Sequence, residues 1–197
     1  MAGIIAGLRN NSIGNNGINN HVKIMALRAV PNGDEYDKDI ARAIVYAVDN
    51  GAKIINGSFG KYYSSNPEWV IDAIRYASEK DVLIVHASGN ESKDLDKNEN
   101  DNYPNDQFFE YNEFSDTFIN VGASSINYDK NIKASFSNYG KSNVDIFAPG
   151  VRIYSTMPDN KYAFQRGYRG DNRSKPYHST NARSLRVFHY VQRSAWG

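Results

Sequence analysis

Residues 82–92, VLIVHASGNES, run from β-prone apolar side chains into a cluster of small ones and then reach an amide, Asn90. A short apolar run bounded by turn residues reads as a buried strand. Its carboxyl end delivers one carboxamide to a turn with almost no side-chain bulk. The plain structural role for such an Asn is to cap the turn. The chemical role is to donate a hydrogen bond to something bound there.

The flanking sequence sets this strand in a repeating pattern. VKIMALRAV (22–30) and KIINGSFG (53–60) read as strands, the second running into glycines. Between them, Ile40, Ala43, Ile44, Ala47 and Val48 fall at helical spacing. Asp34 or Asp37 is placed to cap that helix, and Gly51 sits where it should stop. NPEWVIDAIRYASEKD (66–81) is a second helix with Pro67 suited to its first turn. Strand–helix alternation predicts an α/β domain, a three-layer sandwich in which helices cover both faces of a mostly parallel central sheet. Residues 91–116, rich in Asn and Asp, read as a long surface loop, and TFINVGASS (117–125) as the next strand. Residues 133–160 read as short strands separated by Gly and Pro turns, and no internal repeat appears.

The chain of 197 residues is long enough for one sizeable core. A net charge of +1 gives no electrostatic case for nucleic acid or membrane partners. Cysteine is absent, which removes disulfides, thiolate metal sites and cysteine nucleophiles together. No apolar run reaches transmembrane length. MAGIIAGLRNNS (1–12) lacks the basic start and long apolar stretch of an export signal. No Gly-x-Gly-x-x-Gly phosphate loop supports a nucleotide-binding reading of the same architecture. Composition breaks near residue 166. Residues 166–197 hold six Arg, one Lys and one acidic residue, whereas 1–165 use eleven Lys and five Arg. This basic tail is expected to be disordered or out of frame, with a nucleic-acid arm as a weaker reading.

Four stretches together resemble the subtilisin-like serine peptidases (subtilases, peptidase S8). VLIVHASGNES resembles the family's strand ending in Gly-Asn, and AKIINGSFG (52–60) the strand that lines the substrate cleft. NYGKSNVDIFAPGVRIYST (138–156) resembles the segment leading to the nucleophile, and MAGIIAGLRNNSIGNNGI (1–18) the segment just after the catalytic His. The resemblance covers about residues 1–165, as an incomplete peptidase domain. It implies peptide-bond hydrolysis by acyl transfer, acting on peptide or protein substrates. It implies that Asn90 donates to the oxyanion, and that Ala87, Ser88 and Gly89 are small because substrate backbone lies against them. Ser58, Phe59 and Gly60 would line the other wall by strand addition, with Gly33 a candidate for the opposite side of the cleft. No cofactor is required. Some members bind calcium after the His helix, which makes Asn11 and Asn15 weak candidate ligands through neutral oxygens.

The same resemblance implies a triad that these residues do not supply. The family's Asp and His are expected upstream of Met1. Its Ser should come directly after a Gly-Thr, but Tyr168 and Arg169 succeed Gly167. An internal start site and a frameshift near residue 166 would produce both departures. Ser58, Ser88 and Ser92 offer hydroxyls without an activating base, and His86 reads as a core or wall residue. The expectation is a fragment of a serine endopeptidase that is inactive as it stands. The alternative is a non-catalytic peptide-binding pseudoenzyme. The family is mostly secreted or bound to the cell envelope, which leaves the compartment of this chain open; oligomeric state is not readable.

Overall fold

The computed structural model describes residues 1–30, 35–108, 112–127, 129–157, 159–165 and 188–193. A short helix α1 (Ala2–Ala6) precedes β1 (Val22–Leu27), α2 (Asp37–Asp49), β2 (Ile54–Gly57), α3 (Pro67–Glu79) and β3 (Leu83–Ala87). Then come β4 (Gln107–Phe108), β5 (Asn112–Glu113), β6 (Phe118–Ser124), β7 (Ile146–Pro149), β8 (Ile153–Met157), β9 (Lys161–Gln165) and β10 (Phe188–Arg193). Six strands form the central sheet in the order β1-β10-β2-β3-β6-β7. The pairs β2/β3, β3/β6 and β6/β7 are parallel, as the alternating pattern predicts. Small ribbons pair β4 with β5 and β8 with β9. The class is α/β, with an incomplete set of covering helices among the described residues.

Both long helices form where expected, for the expected reason. Ile40, Ile44 and Ala47 on α2, and Ile74 and Ala77 on α3, are almost wholly buried. Burial of each large aliphatic side chain contributes about 1.5–3 kcal/mol. The crossovers β1–α2–β2 and β2–α3–β3 step the same way along the sheet. Right-handed connections therefore bring α2 and α3 to one face, where they pack on each other and on Ile55, Ile84 and Phe118. Gly51, at φ +83°, ends α2, and Pro67 opens α3.

Three local features differ from the sequence reading. Asp37 does not cap α2, whose N-cap is Tyr36; its carboxylate accepts from Ser64 Oγ at 2.7 Å and from the Ser65 and Asn66 amides at the start of α3. The loop after Asn90 is not wholly on the surface, since Leu95, Asn102, Asp106 and Ser115 are buried. Within the basic tail, where no element was expected, β10 enters the sheet antiparallel to both β1 and β2. Among the described residues, no helix is long and apolar enough to cross a membrane.

Candidate active site

Two parallel neighbours, β2 and β3, end side by side and release the Ser58–Gly60 and Ala87–Asn90 segments. Gly57 is in register with His86, so the two segments leave the sheet next to each other. In an open parallel sheet, the crevice beyond the strands' carboxyl ends is where ligands bind.

The first wall alternates. Phe59 is buried, whereas Gly60 is exposed and Ser58 half-buried. The Phe59 carbonyl points inward to His86 Nε2 at 2.7 Å. A carbonyl only accepts, so Nε2 carries the proton. His86 is 1% exposed and packs edge-on to Phe59 and tilted against Phe118. Burial lowers its pKa from 6.5 to about 4, opposed by the contacts with Phe59 and Asn120. The imidazole is therefore neutral at physiological pH and ties one wall to the other. Asn56 Nδ2 donates to Ser58 Oγ at 2.8 Å. The backbone groups of Ser58 and Gly60 have no hydrogen-bond partner among the described residues. Beyond them, Lys61 exchanges backbone bonds with Tyr103 at 3.0 and 2.8 Å, so the wall continues into a paired segment.

The second wall is the turn at residues 88–91. Gly89 has φ +101°, a conformation costly for any side chain. A Cβ there would lie 2.4 Å from Asn138 Nδ2. The Asn90 amide N–H donates to Glu91 Oε2 at 2.7 Å. Its side-chain carboxamide has no partner among the described residues and is half-exposed. A neutral donor is thus presented, uncommitted, on the second wall. Such a donor suits a developing oxyanion.

Two buried amides that the sequence reading did not single out hold this geometry. Asn102 Nδ2 donates to Ser88 O at 3.0 Å, while its Oδ1 lies 3.0 Å from where a Gly60 Cβ would stand. It spans the space between the walls. Asn138 Nδ2 donates to the same carbonyl at 2.8 Å. Nothing local in NDNYP or FSNYG marks these residues, because their partners lie 14 and 50 positions away.

The remaining candidates fall elsewhere. Gly33 lies outside the described residues. Asn11 and Asn15 sit in the loop between α1 and β1. Asn11 Oδ1 accepts from the Ile13 amide at 3.0 Å; Asn15 Nδ2 donates to Gly3 O at 2.8 Å, and its Oδ1 is buried without a partner. One free carboxamide oxygen fits a cation but is far from the six to eight ligands calcium takes. Among the described residues no group of three or more His, Asp or Glu is placed to hold a metal.

Comparison with known proteins gives a consistent likeness. A family model described as the subtilase family, Peptidase_S8, matches residues 1–183. The chain is 38% identical over 168 residues to a thermophilic serine proteinase of Bacillus sp. (strain AK1), covering 85% of this chain and 37% of that protein. It is 36% identical over 163 residues to thermitase of Thermoactinomyces vulgaris, covering 82% and 52%. Among solved structures, the prenylagaramide maturation protease PagA aligns with TM-score 0.54 and 29% identity over 68% of this chain and 44% of that one. The chain thus spans about half or less of the length of the relatives it matches.

Proposed function

The chain belongs to the subtilase family, and from that premise we propose that it carries the oxyanion donor and two substrate-facing walls of a serine endopeptidase. The observation that carries this reading is the uncommitted carboxamide of Asn90, held on a rigid turn beside the free backbone groups of Ser58 and Gly60. An extended peptide would add to the Ser58–Gly60 edge by backbone pairing. Its scissile carbonyl would then lie against Ala87–Gly89, with Asn90 Nδ2 donating to the oxygen as negative charge develops. Loss of one such donor costs about 10²–10³ in turnover where the rest of the catalytic set is present.

We further propose that residues 1–197 alone bind peptide without cleaving it. His86 donates from Nε2 to Phe59 O, and its basic nitrogen, Nδ1, is buried with no hydrogen-bond partner, so it serves no serine hydroxyl. Without a base in reach, Ser58, Ser88 and Ser92 are poor nucleophiles. A fluorophosphonate probe should therefore label no serine in the purified chain, and a labelled serine would overturn this. Saturable binding of an extended peptide, with no product formed, supports the binding reading; absence of binding by a cooperatively folded chain refutes it. The chemistry proposed needs no cofactor. Calcium at the Asn15 loop is a weaker proposal that rests on one buried, unpartnered oxygen. A rise in Tm with calcium over a chelator control would support it.

A further inference from the structure

We propose that Asn138 is a positioning residue for the oxyanion donor: it sets where Asn90 points without touching substrate. The inference rests on the reading of Asn90 as that donor. Asn138 lies in the connection between β6 and β7 and is wholly buried. It is bonded on both sides of Asn90. Its backbone amide donates to Gly89 O at 3.1 Å, and its Nδ2 to Ser88 O at 2.8 Å. Its Oδ1 accepts from the Glu91 amide at 3.0 Å and the Lys93 amide at 2.9 Å. Nδ2 also faces Tyr62 Oη at 3.2 Å and Glu91 Oε2 at 3.4 Å.

An Asn side chain has two N–H donors and an oxygen with two lone pairs. All are spent here, and two backbone N–H groups facing one end against a carbonyl at the other fix which end is oxygen. One buried residue therefore clamps positions 88, 91 and 93 through its side chain and 89 through its backbone, and leaves the Asn90 carboxamide free. Asn90 contributes no side-chain bond to its own turn, so the turn's shape comes from its neighbours. Gly89 is the complementary part, since any Cβ would occupy the space taken by the Asn138 amide. Asn138 is also neutral. It orients a donor aimed at negative charge without adding a charge of its own.

A double-mutant cycle in the full 197-residue chain tests this. The probe is a fluorescein-labelled mixture of hexapeptides, randomised in sequence and ending in a free carboxylate, monitored by fluorescence polarisation. Asn138→Ala should weaken binding about ten-fold, equivalent to about 1.4 kcal/mol. In an Asn90→Ala background the same change should cost less than about two-fold, because sites acting through one another are not additive. An equal loss in both backgrounds would show that Asn138 merely supports the fold, and would overturn the proposal. If Asn90→Ala itself binds like the unaltered chain, the oxyanion-donor reading has failed, and this inference falls with it for a visibly different reason. Should Asn138→Ala lose its cooperative melt, Asn138→Ser, which leaves a hydroxyl and space for water, takes its place in the cycle.

Discussion

Replacing Gly89 by Ala tests whether the donor turn is as tightly determined as its geometry implies. Two costs act at once. The backbone sits at φ +101°, where a side chain is strained by about 1–3 kcal/mol. The new methyl would also lie 2.4 Å from Asn138 Nδ2, 3.0 Å from Glu91 Oε2 and 3.1 Å from Tyr62 Oη. Glu91 and Tyr62 have room to swing. Asn138 is fully buried and bonded on every side, so moving it leaves at least one buried polar group unmet, for about 1–3 kcal/mol more. The total is about 4 kcal/mol, a large part of the ~5–15 kcal/mol that holds a domain folded. With a urea m-value of about 2 kcal/mol/M, the unfolding midpoint should fall by about 2 M. Gly57→Ala is the control. Its Cβ meets His86 Cδ2 at 3.4 Å and Phe59 Cε1 at 3.5 Å, ordinary contacts, so its midpoint should move by less than about 0.5 M. If Gly89→Ala shifts the midpoint no more than this control, the clamp around Asn90 is loose and the reasoning fails.

Other expectations concern titrating groups, each checked by urea unfolding across pH. His86 has its folded pKa depressed from 6.5 to about 4, so its stabilising contribution is complete above pH 6.5 and is lost as pH falls towards 4. The loss is about 3 kcal/mol, and His86→Gln, which keeps a donor for Phe59 O, should abolish that part of the slope. Asp106 is pushed up to about 7, chiefly by burial and then by Glu113 and Asp145. Its contribution is therefore favourable below 3.8 and lost as pH rises through 7; Asp106→Asn should stabilise the chain at pH 8 and make no difference near pH 3. For Asp37, burial raises the pKa, but Lys61, Ser64 and Asn66 outweigh it and lower it overall. Asp37→Asn should cost about 3 kcal/mol at neutral pH, a difference that shrinks as pH drops below 3.8; a penalty that persists in acid would show that the charge is not what matters.

Signals that act over a few residues were legible. The spacing of Ile40, Ile44 and Ala47 gave α2, Pro67 the start of α3, and the passage from Ile84 into Ser88-Gly89 both the strand and the turn that ends it. Partners far apart in sequence were not. Asp37 stands where a helix cap belongs, but its carboxylate serves Ser64, Ser65 and Asn66, because a tertiary neighbour competes for it. The polar run after Asn90 hides buried Asn102 and Asp106, since burial of a polar side chain depends on partners that composition does not reveal. The position of β10 is likewise set by pairing: six residues bridge to β1 and three to β2, and the tail announces it only by a weak amphipathic period in SLRVFHYV (184–191).

The same distinction explains how the site is built. On the proposed reading Asn90 meets an oxyanion and cannot spend its side-chain hydrogen bonds on its own turn, so the information fixing its position has to come from elsewhere. Here it comes from side chains that reach in from two later loops, Asn102 and Asn138, and converge on the single carbonyl of Ser88. Both are amides. A carboxylate at position 138 could still accept from Glu91 N and Lys93 N, but it would set a charge against Ser88 O and Glu91 Oε2 and lower the potential where the proposed oxyanion would form. A lysine would supply charge and lose both acceptor bonds. A neutral group with donor and acceptor at opposite corners satisfies the turn and leaves the field at Asn90 unaltered, as the proposed donor role of Asn90 requires.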